Sequence, residues 1–295
     1  MKPNVMILGV NGMLGSMLVK RWNESGRFRL FAGVRSQASP RLDGPLVAVC
    51  QGLDAAEFGQ VDQFMLADFV RTHGIGVLVN CIGVIKQRPD GQDPVVTTAV
   101  NALFPHQVAQ ICSKVGAKLI HVSTDCVFTG ETGSYLETDP TDAADFYGRS
   151  KALGEVGAPN LTLRTSIIGP ELEGSEGLGL LAWLLRQKGP AVNGYTKAVF
   201  SGVTTLTLAG LIEKIIIEHP ELTGLFHVAS EPIDKCSLLN LINSEFKLGL
   251  EVMGDDTVRI DRSLNGEKLK TAIGYVAPGW SHQIASLYRQ VNTAA

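Results

Sequence analysis

Tyr147 and Lys151 stand four residues apart in the string Tyr147-Gly148-Arg149-Ser150-Lys151, a spacing that puts both on one face of a helix. A free phenol ionises only near pH ~10, too high to exchange a proton readily at neutral pH. An ammonium beside it favours the phenolate and lowers that value toward the working range. A Y-x-x-x-K pair alone recurs by chance. Its weight here comes from its place, after a fifth apolar run and a long loop that begins with Ser123-Thr124-Asp125.

A second group of residues suits phosphate rather than proton chemistry. In Gly9-Val10-Asn11-Gly12-Met13-Leu14-Gly15 the glycines fall at 9, 12 and 15, between a first apolar run and a first amphipathic stretch. Glycines so placed allow a tight turn, close approach of a pyrophosphate to backbone N–H groups, and tight packing of helix on strand. The helix start adds a positive dipole end. This pattern predicts dinucleotide binding. At the end of the second apolar run an acidic residue would select a free ribose 2′-hydroxyl. The segment instead reads Gly33-Val34-Arg35-Ser36, and a guanidinium pairs well with phosphate. NADPH is therefore the expected cofactor, with NADH as the alternative.

The elements that must carry these residues follow from periodicity. Val5–Gly9, Phe28–Val34, Leu46–Val49, Val77–Asn80, Lys118–Ser123 and Leu161–Thr165 read as strands, several apolar throughout and so buried on both faces. Helical patterns over Met13–Glu24, Phe58–Thr72 and Val95–Val115 alternate with them, Pro105 kinking or restarting the last. The alternation predicts an α/β fold, a Rossmann-type doubly wound parallel sheet covered by helices on both faces. Past Pro170 the pattern loosens: helices are expected at Leu180–Gln187, Leu206–Glu218 and Ser237–Phe246, a strand at Leu225–Val228, and a loop over Asn193–Thr205. The expected organisation is a cofactor domain over 1–170 and a smaller C-terminal substrate-binding lobe over 171–295, with elements partly interleaved with the main sheet.

Composition agrees with a globular enzyme of 295 residues, 45% hydrophobic and 19% charged. A net charge of −3 leaves no basic footprint for nucleic acid or an anionic membrane. The longest clean apolar run, Leu178–Leu185, is too short to span a bilayer. No signal peptide is evident, and five scattered cysteines without a CxxC pair suit a reduced, cytoplasmic protein. The six histidines lack ligand spacing, so no metal site is expected.

The ordered strings GVNGMLG, NCIG (Asn80–Gly83), VNA (Val100–Ala102), HVSTDCVFTG (His121–Gly130), YGRSK and LRTSIIGPE (Leu163–Glu171) resemble the extended short-chain dehydrogenase/reductases. Within them the chain is most similar to the dTDP-4-dehydrorhamnose reductase group, which reduces the 4-keto group of nucleotide-linked deoxysugars with NADPH. The resemblance is clear over Val5–Glu171 and fainter beyond. It implies Tyr147 as general acid to the sugar oxygen, Lys151 as the group that holds the nicotinamide ribose and depresses the tyrosine pKa, and Thr124 as a hydrogen-bond partner of the carbonyl. It further implies a cofactor site of Gly9, Asn11, Gly12, Met13, Leu14, Arg35, Cys81, Ile82, Gly83, Asn101 and Ser123 with Tyr147 and Lys151, Asn101 being mainly structural. The chain departs from the group at Cys126, where tyrosine is common, and in the polar insertions around Tyr195 and Lys197.

A pyrophosphate-linked sugar needs cationic clamps and hydroxyl partners. Candidates are Thr124, Asp125, Arg164, Asn193, Lys197, Thr204 and Arg262, while Trp183 and Trp280 read as packing residues. The expected partner is a nucleotide sugar in surface-polysaccharide synthesis, with a homodimer as the assembly. A 4,6-dehydratase would carry an acid pair after the threonine, half of which Cys126 removes, and a 4-epimerase would show an acid near Arg35. A non-catalytic NADP-binding regulatory subunit needs only the glycine loop, whereas Thr124, Tyr147 and Lys151 are all present.

Overall fold

The computed structural model describes residues 1–34, 46–51, 53, 63–88, 91, 93–172 and 177–292. Arg35 and the first part of the Phe58–Thr72 pattern lie outside the described residues.

In chain order the strands of the first half are β1 (Asn4–Leu8), β2 (Arg29–Gly33), β3 (Ala48–Cys50), β4 (Val77–Asn80), β5 (Lys118–Thr124) and β6 (Leu161–Thr165). The helices among them are α1 (Met13–Ser25), α2 (Gln63–Thr72), α3 (Pro94–Thr97), α4 (Phe104–Val115) and α5 (Phe146–Leu153). All six expected strands are present within a residue or two. The expected helix across Pro105 keeps its direction by a wide, π-type turn over Thr98–Leu103, which delivers Pro105 to the first turn of α4. There its missing N–H has no helical acceptor to lose.

The second half contributes β7 (Ile167–Ile168), α6 (Leu180–Leu185), β8 (Ala191–Phe200), β9 (Val203–Thr204), α7 (Thr205–Glu218), β10 (Gly224–His227), β11 (Ile233–Asp234), α8 (Lys235–Phe246), β12 (Glu251–Asp261), α9 (Glu267–Ile273) and α10 (Trp280–Asn292). The main sheet runs β3-β2-β1-β4-β5-β6-β10, with every pairing parallel. Strand order reverses between β1 and β4, which opens a crevice beyond their C-terminal ends.

Alternation along β1 divides the core. Val5 and Ile7 pack with Leu14, Leu18 and Trp22 of α1 and with Leu208 and Ile212 of α7. Met6 and Leu8 pack on the other face with Leu66 of α2 and Phe104, Val108 and Ile111 of α4. The Trp22 indole N–H donates to the Ala209 carbonyl at 3.2 Å, tying α1 to α7. Thus α7 and β10, both past residue 170, complete the main sheet and its helical cover.

The remaining lobe is a three-stranded sheet, β11-β8-β12, backed by α6, α8 and α10 through Val192, Phe200, Leu184, Leu238, Trp280 and Leu287. The segment expected as a loop over Asn193–Thr205 is mostly strand β8, paired in parallel with β12.

Candidate functional site

The first turn of the site is built by close packing. Gly9 sits at φ +84°, and a Cβ on Gly15 would collide with the Gly9 carbonyl oxygen and come to 2.8 Å from Val10 Cα. Gly12 donates its N–H to the Gly9 carbonyl at 3.0 Å and caps α1 without any side-chain hydrogen bond. The helix therefore starts with amide groups left for a ligand. Across the crevice Asn80 Oδ1 accepts from the Ile82 N–H at 3.0 Å, shaping Cys81-Ile82-Gly83 after β4. Asn101, from the wide turn, clamps the Val84 N–H and carbonyl at 2.9 Å each and reaches Ser150 Oγ at 3.2 Å.

Helix α5 begins at Asp145, whose carboxylate accepts the Gly148 N–H at 2.7 Å. This cap fixes the turn that presents Tyr147. Lys151 points back to β5 and donates Nζ to the Val122 carbonyl at 2.8 Å. Burial pushes its ammonium down to about 8, against the pull of Glu155 and Cys81. Tyr147 stands above the ordinary phenol range: burial raises it first, and Cys126, Asp125 and Asp145 add to the rise, while a hydrogen bond with Thr124 lowers it. The Thr124 hydroxyl accepts the Cys126 N–H at 3.1 Å and donates to Asp125 Oδ1 at 3.2 Å.

These elements enclose a cavity of about 650 Å³. Asn11, Gly12, Met13, Leu14, Cys81, Ile82, Gly83, Ser123, Thr124, Asp125, Tyr147 and Lys151 all line it. Gly83 faces Lys151 and Asn101: a Cβ there would stand 4.0 Å from Lys151 Nζ and 3.5 Å from Asn101 Oδ1. Gly9 and Asn101 support the wall from behind. Ser123 turns its hydroxyl to Glu155 Oε1 at 2.7 Å.

Several expected substrate residues do not meet the cavity. Arg164 is buried, with Nε and Nη2 each 2.6 Å from a Glu155 oxygen, because a strand between two sheet neighbours must neutralise its charge internally. Thr204 is fully buried as the cap of α7, its hydroxyl 2.9 Å from that of Thr207. Asn193 and Lys197 are exposed on β8, with Lys197 paired to Asp256 at 2.7 Å. Their expected role depended on a loop at Asn193–Thr205, and strand formation turns them to solvent. Arg262 stands behind the cavity wall, its Nη1 3.7 Å from Cys126 Sγ.

Other wall residues escaped notice in the sequence: Ile85–Arg88, Ser166, Ile167, Glu171 and Leu178–Leu180. Glu171 Oε1 accepts the Gly179 N–H at 2.5 Å, which draws this segment over the crevice. The available signal was position, since Ser166 and Ile167 immediately follow β6 at the strand ends where such crevices lie.

The RmlD substrate binding domain family matches residues 1–169 of this sequence. The chain belongs to that family. A probable low-salt glycan biosynthesis reductase, Agl14 of Haloferax volcanii, is 29% identical over 88% of this chain and 83% of that protein. A dTDP-4-dehydrorhamnose reductase of Mycobacterium tuberculosis is 32% identical, over 51% of this chain and 44% of that protein. In fold, the chain is similar to the crystal structure of a dTDP-4-dehydrorhamnose reductase from Bacillus anthracis in complex with NADP. The TM-score is 0.79 and the identity 19%, over 98% of this chain and 100% of that one.

Proposed function

We propose that this chain reduces the 4-keto group of a nucleoside-diphosphate 4-keto-6-deoxysugar with NADPH, in the synthesis of surface polysaccharide. The carrying observation is that Thr124, Tyr147 and Lys151 line one cavity with the uncapped start of α1. The reductase and NADP named among its relatives support the same reading.

The residues fit a nicotinamide dinucleotide. The first helical amides, at Met13 and Leu14, suit the pyrophosphate, the bare Cα of Gly83 leaves room for a flat ring, and Lys151 offers an ammonium to ribose hydroxyls. Arg35 would take the 2′-phosphate. When bound, the reduced cofactor supplies the hydride. Tyr147 holds the proton that passes from Oη to the sugar oxygen, and its raised pKa keeps it in the acid form needed for reduction. Thr124 steadies the developing oxyanion, and Asp125 and Ser123 shape the strand end.

Mixing the protein with NADPH and dTDP-4-dehydrorhamnose should oxidise the cofactor. Tyr147→Phe should lower kcat about 10²–10⁴-fold with NADP⁺ affinity kept. Unchanged turnover in that variant refutes Tyr147 as the acid.

We further assign the chain to the reducing cytoplasm and to a homodimer. All five cysteines are free thiols. Among the described residues no helix is long and apolar enough to cross a membrane. Exposed Val95 and Leu103, on one shallow apolar surface, lie near exposed Leu153, whose carbonyl meets His106 Nε2 at 2.7 Å. We read that surface as the face a second copy would cover, and sedimentation velocity tests it.

A further inference from the structure

Lys151 and Glu155 stand four residues apart, and each ties the end of α5 to one of two successive residues on β5. Lys151 donates Nζ to the Val122 carbonyl at 2.8 Å, and Glu155 Oε1 accepts the Ser123 hydroxyl at 2.7 Å. Val122, Ser123 and Lys151 line the cavity, with Glu155 behind them. Glu155, two residues past α5, has a side chain only 12% exposed. Arg164 of β6 grips it, with Nε and Nη2 each 2.6 Å from a carboxylate oxygen. The guanidinium is also held by the Phe128 ring, 5.2 Å from its centroid, and by His227 Nε2 at 3.3 Å.

A buried ion pair is a poor source of stability, because two apolar residues of similar volume do as well or better. Such residues would not place a negative charge near a buried ammonium, where it is worth most. The surroundings of Lys151 offer little else of that sign. Burial raises the Cys81 thiol to about 12 and holds the His121 ring of β5 neutral. The wide turn over Thr98–Leu103 brings no titratable side chain, and Asp93 is taken up capping α3. His106 of α4 meets the Leu153 carbonyl. Asp145, and Asp125 and Cys126 in the turn after β5, act on Tyr147 at the other end of α5. Glu155 is the charged group that opposes the burial of Lys151.

We propose that Glu155 is a positioning residue for the cofactor: held by Arg164, it braces Ser123 and serves as the counter-charge of Lys151. This rests on the reading of the cavity as a nicotinamide site in which Lys151 meets the ribose. Glu155 itself touches neither cofactor nor sugar.

The test is fluorescence titration of NADPH between pH ~6.5 and ~10, for wild type, Glu155→Gln and Glu155→Asp. Wild type should lose affinity as pH rises through about 8, where the charge of Lys151 disappears. Glu155→Gln should move that midpoint down by at least ~0.5 pH unit, and Glu155→Asp, which keeps the carboxylate, should restore it. The midpoint is the readout, because damage to the fold lowers the whole curve without moving it. If Glu155→Gln does not fold around an unpaired Arg164, Glu155→Gln/Arg164→Met is read in its place. There the shift is expected in the same direction, and its absence overturns the proposal. A smaller shift in folded Glu155→Gln, or an equal one in Glu155→Asp, also overturns it. Wild type that binds no NADPH overturns the nicotinamide reading and this inference together. A shifted midpoint without turnover of a 4-keto sugar leaves the role of Glu155 standing and sinks only the reaction.

Discussion

A tyrosine acid must keep its proton until the carbonyl oxygen needs it, and Tyr147 is placed for that. The sequence suggests that Lys151 lowers the phenol, yet burial and three acidic neighbours raise it. The reason is rotational. Lys151 spends its ammonium on the Val122 carbonyl, so its charge serves the cavity wall near Gly83. Spacing reveals that two side chains share a helix face, but not which neighbour each one bonds. Lys151 itself has a lowered pKa of about 8, mainly from burial. Its cation is present below that pH and lost above it. The kcat/KM for NADPH should therefore fall as pH rises through about 8, while Lys151→Arg, whose charge persists, should be flat to higher pH at a lower maximum. A wild-type profile flat to pH ~10, where even a free lysine approaches its pKa, would contradict the role of this cation.

At the scale of elements, legibility followed burial. The parallel strands β1, β4 and β6 are buried along almost their whole length and declare themselves as apolar runs. The lobe strands do not. β12, with Gly254, Asp255 and Asp256 in mid-strand, leaves most of its residues exposed or half-exposed, so no face-to-face alternation survives. β8 contains Asn193-Gly194, a turn signal in isolation, but Gly194 is there because a Cβ would come to 2.7 Å from Cys236 Cα on α8. The same reasoning fixes the sign of a substitution in α1. Replacing a helical glycine by alanine ordinarily stabilises by about 0.5–1 kcal/mol. Gly15 faces the Gly9 carbonyl too closely for any Cβ, so α1 would have to lift from the phosphate turn. Gly15→Ala should therefore cost about 1–3 kcal/mol as overpacking, read by urea denaturation, and should weaken NADP⁺ more than ten-fold. An unchanged affinity would mean that the helix start does not hold the phosphates.

The whole molecule is held together where the chain returns from lobe to sheet. The glycine loop and the Tyr–Lys pair were legible locally, but the role of Arg164 was not, because its partners come from three separate stretches. Glu155 lies just past α5, His227 ends the edge strand β10, and Phe128 faces the guanidinium at 5.2 Å. His227 Nδ1 donates to the Tyr135 carbonyl at 3.1 Å, which leaves Nε2 to accept from Arg164 Nη1 at 3.3 Å. Only the neutral ring satisfies both contacts. Burial, with Arg164 adding to it and Glu137 opposing, lowers the His227 pKa to about 4. The unfolded chain, with an ordinary histidine near ~6.5, binds more protons than the folded one between those values. Stability is thus fully present above pH ~6.5 and is lost as pH falls toward the folded value. Carboxylates add their own acid dependence, so the informative quantity is a difference. The Tm of wild type minus that of His227→Asn should shrink steadily as pH is lowered from about 6.5 to 4. A difference independent of pH would show that the ring titrates alike in the folded and unfolded chain, so that burial and Arg164 do not hold it neutral.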